Sequence, residues 1–417
     1  MTVTAEPRVA ERLLPMFPTT SLAAHTERYG PLPPLEDREE LLDAVEAAGL
    51  TGRGGAAFPT ATKLRTVARG RRTVVVANGT EGEPASAKDK ALLTRNPHLV
   101  LDGVLVAAEL VGADQLIVAV SHQAEASLAA LGEALAQRPD RRRIRIEAVP
   151  ERFVAGEETA LVHWLNGGEA KPTFAPPRPF ERGVGGRPTL VQNVETLANL
   201  ALIARRGPEW FRELGTDDEP GSVLVTVRGA VRRPGVVEVA LGTPLGDVVS
   251  RCGGLSGAPQ ALLIGGYFGA WIAPDADLPL ANAALRPLGA ALGARTIAVL
   301  PETMCGIAET ARVARYMADQ SAGQCGPCVF GLAAVAECLE EVADCRFGRR
   351  DALERLPRLE AQIARRGACA HPDGVLGFVR SALDVFADEV DEHLAGRCTA
   401  TEHGELLPTP RAAGGWR

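Results

Sequence analysis

Apolar residues recur at helical spacing in LEDREELLDAVEAAGL (35–50), with acidic residues in the first turn, which predicts an amphipathic helix. TVVVAN (73–78) is different: a continuous β-branched run, bounded by turn residues, that predicts a fully buried strand. The two patterns then alternate. PHLVLDGVLVAAELVG (97–112) and SLAALGEALAQ (127–137) predict helices, and QLIVAVS (115–121) and RIRIEAV (143–149) predict strands. That order predicts a three-layer α/β sheet. FVAGEETALVHWLNG (153–167) reads as a loop entering a helix.

The character changes at 221. GSVLVTVRGAVRRPGVVEVALGTPLGDVVSRCGGL (221–255) holds short β-rich runs, with a hairpin signal at Arg232-Arg233-Pro234-Gly235, and then a helix. LLIGGYFGAWI (262–272) is again strand-like, so a small β-grasp-like module is expected. From about 303 the pattern is helical throughout, which predicts a C-terminal helical bundle. The expected organisation is a Pro-rich, irregular arm (1–35), an α/β domain (36–220), a β-grasp domain (221–300), a helical domain (301–400) and a tail (401–417).

Composition narrows the function classes. A chain of 417 residues has room for about three domains. Lysine occurs only at Lys63, Lys88, Lys90 and Lys171, while Ala and Arg are heavily used, so the lysines carry more information than the arginines. The net charge is −7, and no basic run is interleaved with aromatics, which argues against nucleic-acid binding. The apolar stretch 99–120 is broken by Asp102, Glu109 and Asp114, so no transmembrane span is expected. No signal peptide is visible, and a cytoplasmic location is expected. Eight cysteines in such a chain point to metal or redox chemistry for some of them.

Three stretches carry candidate chemistry. In TGRGGAAFPT (51–60), Gly52, Gly54 and Ala57 fit G-x-G-x-x-G/A, a pattern that lets backbone amides approach a phosphate. The pattern follows a helix here, not a strand, so a tight interhelical turn is the competing reading. Lys63 stands close enough in sequence to supply a countercharge. Asn78, Glu81 and Glu83 follow a buried strand, where ligands of α/β sheets bind. Glu157 and Glu158, after Gly156, either cap a helix or face ribose hydroxyls or a carboxamide. The third stretch is Cys325-Gly326-Pro327-Cys328. It fits a dithiol enzyme, half a zinc site or part of an iron–sulfur site, but helices on both sides argue against a thioredoxin-like context. A structural zinc would need a fourth ligand, with His371 the nearest candidate.

Together these blocks resemble the family of flavin- and NADH-binding subunits of respiratory complex I, with its relatives in NAD-linked hydrogenases and formate dehydrogenases. GRGGAAFPTATK (52–63), NGTEGEPASAKD (78–89), GEETALVHWLNG (156–167) and GRPTLVQNVETLAN (186–199) stand in the family's order. The resemblance implies a Rossmann-like FMN/NAD domain. Gly52, Arg53, Gly54, Lys63, Asn78, Glu81, Gly156, Glu157, Gln192, Asn193 and Thr196 would line the FMN groove. Phe58, Glu83 and Glu158 would lie beside NADH. The flavin accepts the hydride, so no general acid is needed. Cys325, Cys328 and Cys369 would ligate an iron–sulfur cluster.

The chain also departs from the family. Ala322 stands where the first cluster cysteine is expected, so a 4Fe–4S cluster with another fourth ligand (Cys305 among the candidates), a 3Fe–4S cluster and a lost cluster all remain open. Cys252, Cys338, Cys345 and Cys398 read as buried or surface thiols. Thr66, Ala175 and Arg178 replace two aromatics and a lysine on the nucleotide side, and Thr80 and Ala57 replace an acid and a glycine. Arg178 can offset part of this by stacking on a base and pairing with phosphate. The resemblance implies an NAD(P)H-oxidising flavoprotein that feeds a ferredoxin or a thioredoxin-like iron–sulfur subunit, with a peripheral place on a membrane complex open to it. The alternative is a degenerate homologue that keeps the fold, and FMN at most.

Overall fold

The computed structural model describes residues 11–345, 350–411 and 415–417. Its first unit begins with three helices, α1 (Leu22–Tyr29), α2 (Arg38–Ala48) and α3 (Thr60–Ala68). It continues through β1 (Thr73–Gly79), α4 (Lys88–Arg95), α5 (Pro97–Val111), β2 (Ala113–Ser121) and α6 (Glu125–Ala136). β3 (Ile144–Val149), α7 (Glu158–Leu165), β4 (Thr189–Asn193) and α8 (Val194–Arg212) complete it. The four strands are parallel, in the order β3-β2-β1-β4.

Val75 and Ala77 of β1 join a core with α2, α3, α5 and α8, whereas Val74 and Val76 face a smaller core that includes α7. A strand covered on both faces has no polar side, which is why TVVVAN does not alternate. The expected three layers are present. Local signals set the helix ends: Asp37 Oδ1 accepts from the amides of Glu39 (2.8 Å) and Glu40 (3.3 Å), and Gly49 closes α2 at φ 68°. Helices α5 and α8 pack so closely that a Cβ on Gly103 would overlap the Leu197 carbonyl.

The stretch expected to be an irregular arm differs. Residues 1–10 lie outside the described residues, but much of the chain between 11 and 35 is built into the core. Leu13 is fully buried, and the amides of Leu13 and Leu14 donate to Glu238 at 2.8 and 3.0 Å. Asn96 Nδ2 ties Leu13 O (3.0 Å) to Tyr29 Oη (2.7 Å). Helix α1 brings His25 to Asp102 at 2.7 Å, and Arg138 (2.7 Å) and Arg205 approach the same carboxylate. An eight-residue helix capped by Ser21 is too short to show a period between prolines.

The second unit is a five-stranded sheet in the order β6-β5-β9-β7-β8. It is built from β5 (Ser222–Gly229), β6 (Gly235–Ala240), α9 (Leu245–Arg251), β7 (Pro259–Ile264), β8 (Ala270–Ile272), α10 (Asn282–Leu285) and β9 (Thr296–Pro301). Strands β5 and β6 pair antiparallel around the expected hairpin turn. The run 262–272 is not one strand but a hairpin, because Gly265 and Gly266 turn the chain at φ 97° and 85°.

The third unit is helical. It consists of α11 (Gly306–Asp319), a π-helical turn (Pro327–Leu332), α12 (Ala333–Ala343), α13 (Arg350–Ile363), α14 (His371–Val385) and α15 (Ala387–Leu394). The described residues after 401 pack back onto the molecule. Leu407 is buried, Pro408 O accepts from Tyr267 Oη (2.5 Å), and Trp416 O accepts from Ala170 N (2.9 Å). Among the described residues, no helix is long and apolar enough to cross a membrane.

Candidate active site

Strand order locates the crevice before any side chain is considered. From β1 the chain moves outward to β2 and β3, then returns to place β4 on the other flank of β1. The order reverses between β1 and β4, and α/β sheets bind ligands at the carboxyl ends of strands at such a switch point. Asn78 and Asn193 stand there as register partners on the two strands. Asn78 Nδ2 donates to Gly156 O at 2.8 Å, which draws the 153–158 loop onto the crevice. A Cβ on Gly156 would come 2.5 Å from Thr80 Oγ1, so a larger residue would displace Thr80.

The Gly-rich loop forms another wall. It connects α2 to α3, pinned at its base by the Thr51–Pro59 bridge, so the interhelical context read from the sequence holds. Among the described residues, no hydrogen bond takes up the amides of residues 54–57. Ala57 and Glu81 both adopt left-handed backbone, at φ 50° and 43°, and such strain concentrates at functional sites. Phe58 is half-exposed at the rim. Lys63 Nζ pairs with Glu158 Oε2 at 3.0 Å, across α3 and the start of α7.

Several predicted site residues are occupied with holding the walls. Glu81 accepts from Ser86 Oγ (2.6 Å), Asp89 N (3.0 Å) and Lys90 N (3.1 Å), which caps α4. Glu157 caps α7 through the amides of Thr159 (2.9 Å) and Ala160 (3.0 Å). Arg53 turns inward. Its guanidinium is buried and donates to Pro220 O (3.1 Å), while its amide donates to Thr196 Oγ1 (2.7 Å). Arg295 of the second unit grips Gly52 O (3.2 Å) and Arg53 O, locking the loop from outside. Gln192 Nε2 reaches Thr60 Oγ1 at 3.4 Å.

Glu83 lies deeper than its sequence position suggests. It accepts from Tyr267 N (2.8 Å) and Ala85 N (3.1 Å), so it ties the crevice to the β7–β8 turn. Burial pushes its carboxyl up to about 7. Sequence reasoning missed the layer below. Lys88 joins Asp89 (2.6 Å) and Glu195 (2.9 Å) in a buried cluster, and Asp89 Oδ2 accepts from Asn193 Nδ2 at 2.7 Å. The scarcity of lysine was the available signal for it.

The three predicted cluster cysteines converge. Cys325 and Cys328 open the π-helical turn, with Cys328 N donating to Cys325 O at 3.2 Å, and π-turns recur at functional sites. Burial pushes the Cys328 thiol up to about 12; contact with Ser321 opposes this, and the neighbouring Cys325 and Cys369 thiols add to it. Cys369 is raised by burial, with Glu157 and Cys325 among the charges that add to it. Cys369 thus lies within electrostatic range of Glu157, the cap of α7. His371 is not among them: its Nε2 meets Met317 O at 2.8 Å, and its ring packs on Phe153 and Phe268. Cys305 is elsewhere too, 3.4 Å from His393 Nε2.

Residues 45–202 match the Nuo51 FMN-binding domain, 224–264 the SLBB domain and 308–393 the NADH-ubiquinone oxidoreductase-F iron-sulfur binding region. The second of the NADH-quinone oxidoreductase F subunits of Rhizobium meliloti (strain 1021) is 31% identical over 378 residues, covering 86% of this chain and 90% of its own. The chain belongs to the family of NADH-quinone oxidoreductase F subunits. A further relative, NADP-reducing hydrogenase subunit HndC of Solidesulfovibrio fructosivorans, is 29% identical over 380 residues, 85% of this chain and 76% of its own. The crystal structure of an NAD+-reducing nickel–iron hydrogenase in the air-oxidised state matches at a TM-score of 0.81 and 32% identity, over 94% of this chain and 67% of that one. Each of the three units of this F-type chain thus has its counterpart among known domains, the β-grasp insert being the SLBB domain.

Proposed function

We propose that this chain is an NAD(P)H-oxidising FMN flavoprotein that passes electrons through an iron–sulfur cluster to a partner carrier. Domains 36–220, 221–300 and 301–400 divide this work into flavin binding, clamping and cluster binding. The observation that carries the reading is the β1–β4 crevice, walled by a glycine loop with free amides, together with three convergent thiols, of which Cys369 lies within electrostatic range of Glu157.

The donor set fits FMN. The free amides of residues 54–57 and the Lys63 ammonium suit a phosphate. Asn78 and Asn193 offer amide groups where a flavin ring edge would lie, and Gly156 keeps that wall low. Phe58, Glu83 and Glu158 are left for the nicotinamide nucleotide. Bound FMN supplies a hydride acceptor that releases single electrons, and a bound cluster carries them. Glu83 and Glu158 orient the donor by hydrogen bonding, and Glu158 also sets the position of Lys63. The SLBB unit keeps the glycine loop fixed through Arg295.

Three thiols fit a cluster with three thiolate ligands, and Ser321, beside Cys328, adds a hydroxyl where Ala322 offers none. The partner in this reading is a ferredoxin or a thioredoxin-like iron–sulfur subunit on the cytoplasmic side. Ala322 favours a second reading, in which the chain binds FMN but holds no cluster. Flavin absorbance, iron and sulfide content and EPR of anaerobically purified protein separate the two. Flavin with about three to four irons per chain supports the first. Flavin without iron supports the second, and neither flavin nor iron in folded protein overturns both.

A further inference from the structure

Four cysteines lie outside the cluster set and the buried Cys338: Cys252, Cys305, Cys345 and Cys398. Three of these four come together. Cys305 ends the turn after β9 and caps α11, where its Sγ accepts from Ala308 N at 3.2 Å. His393 of α15 is buried and points Nε2 at that sulfur, 3.4 Å away. Its Nδ1 faces Val342 O at 3.2 Å, which places the ring proton on Nδ1 and leaves the Nε2 lone pair toward the thiol. Cys398 brings its sulfur within 4.8 Å of both Cys305 Sγ and His393 Nε2. Cys345, just past α12, touches the Cys398 thiol.

For Cys305, His393 and Cys398 these separations approach zinc-ligand distances, while Cys345, which contacts Cys398, would have to turn toward the ion. With Zn–S near 2.3 Å and Zn–N near 2.05 Å, a tetrahedral site separates sulfur from nitrogen by about 3.6 Å and sulfur from sulfur by about 3.8 Å. The carboxylate nearby is already committed. Glu389 accepts from Gly306 N (3.3 Å) and Ile307 N (3.2 Å), bonds Gln260 and takes the Cys305 thiol proton at 3.3 Å, a contact that is released when Cys305 binds the ion as thiolate. The imidazole with a carbonyl behind its second nitrogen is the arrangement that metal-binding histidines use.

We propose that Cys305, Cys345, His393 and Cys398 form a Cys3His site for one zinc ion, separate from the iron–sulfur half-site. Binding replaces three thiol protons with one Zn2+, releasing those protons to solvent and changing no oxidation state. The ion would staple four separate segments: the β9–α11 turn, the end of α12, α15 and the chain beyond it. That last segment leads into the tail, where the amides of Thr401 and Glu402 bond Thr303 O at 2.9 and 2.8 Å. The site therefore anchors the tail at its start and holds the helical unit against the SLBB sheet.

The test is elemental analysis of the full chain, purified anaerobically with a reductant and dialysed against a chelator. The expected result is about one zinc per chain. Cys325→Ser should lower iron and leave zinc unchanged, while Cys398→Ser and His393→Ala should each lower zinc at least five-fold. If those variants fail to fold, cobalt substitution of the wild-type chain replaces them, and tetrahedral thiolate–cobalt absorption bands are expected. Folded wild-type protein with neither zinc nor cobalt bands overturns the proposal. So does zinc that survives Cys398→Ser, zinc lost together with iron in Cys325→Ser, or a Cys345–Cys398 disulfide in the freshly isolated chain.

Discussion

Replacing Glu83 with glutamine removes a carboxyl that folding pushes up. In the unfolded chain this group titrates at 4.5, and in the folded chain at about 7, because burial disfavours its charge. A carboxyl raised by folding stabilises the protein below its unfolded pKa, and that contribution is lost as pH rises through the folded value. At about 1.4 kcal/mol per pH unit, the gap is worth about 3 kcal/mol, most of it between pH 5 and 8. Glutamine does not titrate, but it can serve only one of the two amides, Tyr267 N or Ala85 N, that the carboxylate serves. The lost bond costs about 1–2 kcal/mol at every pH, so it shifts the curve without tilting it. Melting temperatures measured from pH 5 to 8.5 should therefore show wild type losing stability relative to Glu83→Gln as pH rises. The difference should change by about 3 °C across the range, since a 417-residue chain unfolds with an entropy of about 0.9 kcal/mol per degree. Parallel curves would refute the assignment of Glu83 as a buried group that titrates near neutrality.

Gly156→Ala should release FMN at least ten-fold more readily, by fluorescence of the free flavin, because its Cβ strikes Thr80 and moves the wall that Asn78 holds. Asp102→Asn leaves Arg138 and Arg205 without their shared carboxylate and should cost about 3–5 kcal/mol in denaturant unfolding. Cys328→Ala should abolish cluster iron while flavin content stays at the wild-type level. Lys63→Ala should weaken FMN retention at low salt more than at high salt, since the lysine acts there as a charge.

The α/β layers were legible because β1 and α5 are covered on nearly all sides and their residues show it. Strand β4 was not, because five residues in a Gly- and Pro-rich stretch carry no period, yet it makes half of the crevice. The end of a buried strand brought Asn78 to the site, and resemblance added Asn193 and Gly156. It could not show that Glu81 and Glu157 spend their oxygens on helix amides, or that Arg53 turns away toward Pro220. Those are matters of rotamer and neighbour, which spacing does not encode. The Cys305 cluster was hidden for a related reason. Its four residues are separated by 5 to 48 positions along the chain, and only the folding of four segments onto one point brings them together.

Everything proposed for the crevice depends on one event: a reduced nicotinamide gives its hydride there, and electrons move on toward the cysteines. Anaerobic stopped-flow mixing of the FMN-loaded chain with NADH, and separately with NADPH, observes that event itself. The flavin absorbance should bleach with at least one of the two, followed by reduction of iron–sulfur absorbance that is missing in Cys328→Ala. A flavin that stays oxidised with both nucleotides would contradict the assignment.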